Sequence, residues 1–214
     1  MSTNPAGLLL LDRIAKNDIP GLKALLLHDK HLVDIDWTNP MTGETALHAA
    51  VQFGNVETLH AVLSFKPTGI NAKLLPLKGG HTSLHLAVLR NNPQLLEILL
   101  KNRADPHLNN SAGFSPLHIA VQLNLPNCLE TLISRGAADA ELRDSAGRTS
   151  AWWAQALHAN ASSQLLPQDI PINWDLEIMR GLMLAKEHKL EPTCTVASGK
   201  AKKGKKKKKG GKKK

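Results

Sequence analysis

A four-residue motif recurs along the chain at nearly constant spacing, and this repetition limits the possible folds more than any other feature. Thr45-Ala46-Leu47-His48 returns as Thr82-Ser83-Leu84-His85 and as Ser115-Pro116-Leu117-His118, with a degenerate copy at Thr149-Ser150-Ala151-Trp152. The spacings are 37, 33 and 34 residues. A period of this length is typical of solenoids, whose units bury their apolar faces against one another.

The sequence around each motif predicts a pair of helices joined by a short turn. A short apolar helix follows the motif, and after a polar break a leucine-rich second helix is expected over 56–63, 93–100 and 126–133. Pro93 and Pro126 suit the first turn of that second helix, where the missing N–H has no helical partner. A glycine stands two positions before the motif hydroxyl in every copy, as Gly43, Gly80, Gly113 and Gly147.

This pattern resembles the ankyrin repeat, a unit of about 33 residues with two helices and a β-turn. The resemblance covers roughly residues 8–166 and predicts an all-α repeat fold. We expect an ankyrin solenoid of about five helix-turn-helix units with β-turn tips, followed by a helix and a disordered tail. The array is assigned to 1–166, with clear repeats over 41–144. Caps are assigned to 6–36 and to 145–166. In the first cap a helix pair without the motif is indicated by Leu8, Leu9, Ile14, Leu22, Leu25 and Leu26. The four additional residues of the longest spacing fall in 66–78, which predicts an extended loop.

The motif histidines invite a metal or acid–base interpretation, but their spacing argues against one. His48, His85 and His118 stand one per repeat, so stacking keeps them too far apart to share a metal ion. The resemblance implies instead that the motif hydroxyl and histidine satisfy backbone groups at the turn. Neither a nucleophile–base spacing nor a glycine-rich phosphate loop occurs, and Cys128 and Cys194 form no ligand cluster. We therefore predict a non-enzyme with no catalytic residue, cofactor or metal.

The resemblance implies protein binding through a concave face made by turn tips and first helices. Apolar and arginine side chains in this set predict an apolar groove with a basic edge, since aromatic and arginine residues dominate interface energetics. The alternative is that Phe53 or Phe114 packs against the adjacent turn. The positions that the resemblance places on this face are Glu44, Gln52, Phe53, His81, Leu89, Arg90, Phe114, Gln122, Leu123 and Arg148. In the degenerate repeat, Ala156 and Leu157 end the first helix.

Residues 167–191 predict one more helix, with Asn173 as N-cap and an apolar stripe through Trp174, Ile178 and Leu182. Two roles remain open at this point. The helix could cap the apolar end of the last repeat, or it could be offered to a groove on a partner.

The last segment, 192–214, predicts a disordered lysine-rich tail. Residues 198–214 hold 11 of the 27 basic residues of the chain and no acidic residue, although the net charge is only +9. Such a tail binds polyanions through point charges. RNA or a ribosomal particle is the first expectation and acidic protein tails the second, whereas a membrane is not favoured. The alternative is a merely solubilising tail. The lysines concerned are Lys202, Lys203, Lys205, Lys206, Lys207, Lys208, Lys209, Lys212, Lys213 and Lys214.

Together these features predict a monomeric intracellular adaptor or scaffold that holds a protein client, with the tail as a tether. The alternative is a protein that mainly binds polyanions, with the repeats as a spacer. The apolar run Leu8–Leu11 is far shorter than a membrane span or a signal-peptide core, so we expect a cytoplasmic or nuclear location.

Overall fold

A computed structural model of the chain describes residues 5–28, 34–53, 55–136, 139–157 and 164–166. The helix predicted over 167–191 and the lysine-rich tail predicted over 192–214 lie outside the described residues.

The described part of the chain contains helices joined by turns, without an extended strand; a single antiparallel bridge pairs Arg143 with Thr149. The predicted all-α repeat fold is therefore confirmed. In chain order the helices are α1 (Pro5–Ala15), α2 (Ile19–His28), α3 (Ala46–Gln52), α4 (Val56–Ser64), α5 (Ser83–Leu89), α6 (Pro93–Lys101), α7 (Pro116–Gln122), α8 (Pro126–Gly136) and α9 (Ser150–Ala156).

The recurrent motif begins the first helix of each repeat. Its hydroxyl residue is the N-cap of α3, α5, α7 and α9, in extended backbone conformation. In the three intact copies the motif histidine, at the third helical position, completes a capping box. In the degenerate copy Thr149 caps the amide of Trp152, but tryptophan offers no acceptor in return. Half of the box is therefore lost in the last repeat.

Helices α5 and α7 end abruptly because the next residues reverse the chain. After α5, Asn91 adopts a left-handed conformation with φ of 50°, and the Asn92 amide donates to the Ala87 carbonyl at 3.1 Å. After α7, Asn124 has the same φ, and the Leu125 amide donates to the Ala120 carbonyl at 2.9 Å. These are C-terminal capping motifs, and they place the second helix antiparallel to the first.

The core lies between two layers of helices. The first helices α3, α5, α7 and α9 pack on one another in succession, and the second helices α4, α6 and α8 form the other layer. Small residues of the first helices, such as Ala50, Ala87 and Ala120, are fully buried and allow close packing. Leucines of the second helices, such as Leu59, Leu96 and Leu129, fill the space between the layers. In this arrangement the first helices are covered along most of their length. Only their ends, and the turns that precede them, reach the surface.

The helix pair expected in the N-terminal segment packs on the first repeat. Helix α1 packs on α3, and α2 packs on α4. Leu10 and Ile14 are fully buried, whereas Leu8 and Leu9 are exposed. Because four residues separate the same face of a helix, the inward stripe is set by Leu10 and Ile14 rather than by the start of the leucine run.

The long connection after α4 is more ordered than an extended loop. Residues Pro76–Lys78 form a short 3₁₀ turn. The Asp36 carboxylate accepts from the Thr68 amide at 2.8 Å and from the Thr68 hydroxyl at 2.7 Å. At the other side, the Lys73 ammonium donates to the Asn109 carbonyl at 2.6 Å. The insertion is thus attached to the repeats on both sides.

Candidate protein-binding surface

The motif histidines join consecutive repeats. The Nδ1 of His48 accepts from the Thr45 amide at 3.3 Å, and its Nε2 lies 3.2 Å from the carbonyl oxygen of His81. Because Nδ1 is an acceptor, the proton lies on Nε2, which donates to that carbonyl. His85 bonds in the same way to the Phe114 carbonyl at 2.9 Å, and His118 to the Arg148 carbonyl at 3.2 Å. The structural role implied by the resemblance is confirmed.

These three imidazoles are held in the neutral form. Burial lowers the pKa of His48 and of His85 to about 4, and it also lowers the pKa of His118. In each case the hydrogen bond to the next repeat opposes the effect of burial without overcoming it. A neutral imidazole that is already bonded through both nitrogens has no free site for a metal or a substrate proton.

Turn glycines hold the neighbouring tips close together. Gly113 has φ of +79°, and a Cβ there would lie 2.7 Å from the Ser145 amide nitrogen of the next tip. The Ser145 hydroxyl donates to the Ala112 carbonyl at 2.9 Å. A left-handed conformation and a close approach both require glycine at this position. The tips are therefore fixed relative to one another.

We define the turn row as the residues that immediately precede the N-cap of each first helix. The carbonyl groups of the last three members receive the histidine bonds, so their backbone positions are fixed. All four side chains are partly buried. Desolvation raises the pKa of the first member, and burial lowers the pKa of the second. The members are Glu44, His81, Phe114 and Arg148.

We define the end row as the last residue and the C-cap residue of each first helix. Four apolar side chains of this row are about half exposed: Phe53 at 51%, Leu89 at 45%, Leu123 at 49% and Leu157 at 47%. Arg90, the C-cap of α5, is also exposed. Since packed helix axes lie about 8–10 Å apart, a row on four consecutive helices extends over roughly 25–30 Å. The remaining members are Gln52, Gln122 and Ala156.

Two predicted anchor residues are engaged within the chain. The Phe114 ring packs edge-on against Trp153 at a centroid distance of 5.8 Å. The Arg148 guanidinium lies 4.3 Å from the Trp153 ring centroid, and its Nε donates to the fully buried Asp144 carboxylate at 3.0 Å. The Trp153 indole N–H donates to the same carboxylate at 2.9 Å. These contacts hold Phe114 and Arg148 of the turn row against the last first helix, α9.

The sequence interpretation missed two apolar side chains at the turn tips. Met41 is 75% exposed and Leu77 is 97% exposed. Their tips are joined by a bond from the Leu75 amide to the Thr42 carbonyl at 3.0 Å. Met41 is an apolar residue in a largely polar turn, which is a signal that identifies it, whereas Leu77 follows Leu74, Leu75 and Pro76 and has no such signal.

Other kinds of site have little support in the described ranges. They contain no group of three metal-binding side chains placed to share an ion, and no helix there is both long and apolar enough to cross a bilayer. Cys128 is a buried free thiol whose pKa is raised by desolvation.

Comparison with known proteins agrees with this geometry. A segment of the chain is 30% identical over 110 residues to transient receptor potential cation channel subfamily V member 1 of Canis lupus familiaris. That alignment covers 45% of this chain and 13% of the channel, so the chain spans a small part of that relative's length. The family profile described as ankyrin repeats (3 copies) matches residues 11–110 and 84–175. The chain belongs to the ankyrin repeat family.

Proposed function

We propose that this protein is an adaptor or scaffold that binds a protein client along the end row and the turn row. The observation that carries the proposal is the alignment of four half-exposed apolar side chains on consecutive packed helices. An adjoining series of apolar groups on a fixed framework is typical of an interaction surface, whereas isolated exposed groups need no explanation. Ankyrin repeats are generally modules for protein interaction, and no catalytic role is proposed.

The chemistry of the end row indicates what a client should present. Completing the burial of one half-exposed leucine or phenylalanine contributes about 1 kcal/mol, so the four apolar members contribute about 4 kcal/mol before the cost of association. Arg90 adds a cationic group within this apolar row. A client with an apolar stripe and a carboxylate near its centre would be complementary to both.

A pull-down from cell extract tests this proposal. It compares the full chain with two variants, each of which carries two alanine substitutions. Phe53→Ala with Leu123→Ala removes two members of the end row. Leu8→Ala with Leu27→Ala is the matched control, because both leucines are similarly exposed but lie on the N-terminal helix pair. We expect the first pair to weaken client capture from cell extract at high salt by tenfold or more, and the control pair to leave it unchanged. Equal capture by both variants would refute the proposal.

We further propose that the lysine-rich tail tethers the protein to a polyanionic surface in the cytoplasm or nucleus, with RNA or a ribosomal particle first and acidic protein tails second. The composition of residues 198–214 supports this role. We propose that the protein acts as a monomer.

The second candidate function, primarily a polyanion binder, makes the opposite prediction for the tail. Replacing the ten lysines from Lys202 to Lys214 by glutamine would then abolish capture, and the end-row substitutions would have little effect. Under the adaptor proposal, the glutamine variant keeps its protein client at high salt and after nuclease treatment, and loses only the polyanion.

A further inference from the structure

A second surface with a distinct chemistry lies at the opposite ends of the second helices. A cleft of about 560 Å³ opens where α4 and α6 end, beside the long connection that follows α4. Its apolar side chains are Leu63, Pro67 and Ile70, and its cationic side chains are Lys66, Lys101 and Arg103. It does not include any member of the end row or the turn row.

The cleft lies beside the connection that makes the spacing between the first two motif copies longer than the other spacings. The four additional residues of the 37-residue spacing lie in the connection that forms one wall. That wall is attached on both sides, since Asp36 binds the Thr68 amide at 2.8 Å and the Asn71 side chain accepts from the Asp105 amide at 2.9 Å. The cleft is therefore preformed rather than dependent on a partner for its shape.

Two of the cationic residues occupy backbone positions that favour glycine. Lys66 has φ of 52° and Arg103 has φ of 68°, each just after the C-cap of its helix. The other non-glycine residues with positive φ in the described ranges are asparagines, which tolerate this conformation best: Asn17, Asn91 and Asn124. The two exceptions are thus both cations, and both line the same cleft.

Stabilising the C-terminus of α6 does not require Arg103, whereas α4 has no basic residue in its last turn. A cation in the last helical turn interacts with the helix dipole without an unfavourable backbone conformation, and Lys101 of α6 already does so. Lys101 also pairs with Glu97 at 3.0 Å. Lys66 and Arg103, by contrast, form no ion pair with any described residue. Strained backbone at two uncompensated charges points to a binding role.

We propose that this cleft binds an acidic segment of a partner protein that also carries an apolar side chain. The apolar side chain packs on Leu63, Pro67 and Ile70, while carboxylates on either side of it pair with Lys66 and Arg103. Charge complementarity selects such a segment and excludes the lysine-rich tail of the chain itself. The cleft is lined by no aromatic side chain on which a nucleic-acid base could stack. This interaction is independent of the client proposed for the end row.

In the test, a short peptide of repeating Glu-Glu-Leu is added to the full isotope-labelled chain at physiological salt. The amide chemical shifts of the chain are followed by NMR. Site-resolved shifts separate the cleft from the tail, which also attracts an acidic peptide. We expect the amides of Ile70 and Asn102 to move saturably, and a peptide of repeating Gln-Gln-Leu to leave them unmoved. Shifts confined to the tail would overturn the proposal.

Glycine substitutions separate a binding role from a structural role. Lys66→Gly with Arg103→Gly removes both cations while relieving the left-handed backbone, so the chain should melt at the same or a higher temperature. We expect peptide affinity measured at Ile70 to fall about tenfold. Lys16→Gln with Lys23→Gln removes the same charge from the N-terminal helix pair and should leave that affinity unchanged.

Two outcomes of the variant experiment would contradict the proposal. Equal weakening by the glycine pair and the glutamine pair would mean that the peptide responds to net charge alone. A single-stranded RNA oligonucleotide that moves the amides of Ile70 and Asn102 more strongly than the peptide does would assign the cleft to a different class of partner.

Discussion

Acidification should destabilise the repeats through the buried histidines that join them. In the folded chain the pKa of His48 and of His85 is about 4, against 6.5 for a solvated imidazole. Between these values the unfolded chain binds protons that the folded chain does not, so the free energy of unfolding falls as pH falls. Between pH 7.5 and pH 5, each of these two histidines lowers the free energy of unfolding by about 2 kcal/mol, which is about 4 kcal/mol together. His118, whose pKa is also lowered, acts in the same direction.

The assay is urea unfolding followed by tryptophan fluorescence at pH 7.5 and pH 5. Carboxyl groups with a lowered pKa, Asp18 and Glu97, titrate mainly below this window. Glu44, with its raised pKa, opposes the trend, because its protonation favours the folded chain as pH falls. A stability that is the same at both pH values, or imidazole titrations near 6.5 by NMR, would refute the assignment of His48 and His85 as neutral bridges between repeats.

A matched variant separates these histidines from the remaining ones. His85→Gln removes one of the two strongly shifted groups and should reduce the loss of stability between pH 7.5 and pH 5 by about 2 kcal/mol. His107→Gln replaces an exposed histidine of a turn and should leave the loss unchanged. If both variants kept the full pH dependence, the histidine bridges would not be its source.

Three further predictions concern buried or conformationally restricted positions. Ser83→Ala should raise the free energy of unfolding by about 1 kcal/mol in urea titrations, because its buried hydroxyl has no hydrogen-bond partner among the described residues; an unchanged midpoint would contradict this. Gly113→Ala should cost about 2 kcal/mol or more in thermal melts, since its φ is +79°, whereas Gly69→Ala, with ordinary contacts at 3.7 Å, should be nearly neutral. Asp144→Ala should cost about 2–3 kcal/mol and shift the tryptophan emission, because it leaves the Arg148 guanidinium and the Trp153 indole without their carboxylate; wild-type stability would exclude this structural role.

The helices of the repeats could be predicted from sequence because each carries its own start and stop signals. The motif hydroxyl and histidine form a local capping box, and Pro93 and Pro126 begin second helices where they were expected. Such signals act within a few residues, so they are readable without knowledge of tertiary contacts. The leucine run at the N-terminus lacks a comparable local signal, so the sequence does not show that Leu10 rather than Leu8 or Leu9 faces the core.

Features that depend on contacts between repeats could not be predicted in the same way. The cluster of Asp144, Arg148 and Trp153 joins a turn to a helix, and no local pattern identifies it. The cleft beside Lys66 and Arg103 depends on where the inserted connection is attached, which only the fold determines. The predicted set of surface residues contained Phe53, Leu89 and Leu123 because repeat position alone fixes them at helix ends.

The most direct test of the client-binding surface is photo-crosslinking in cells from single positions of the full-length chain. A benzoylphenylalanine side chain would replace Phe53 or Leu123 on the end row, and Glu57 or Glu130 on the second helices as controls. We expect Phe53 and Leu123 to crosslink to the same protein, with that product absent from both controls and lost when Leu89 is also changed to serine. A product formed equally from all four positions, or from the second helices alone, would contradict the assignment of the end row as the client-binding surface.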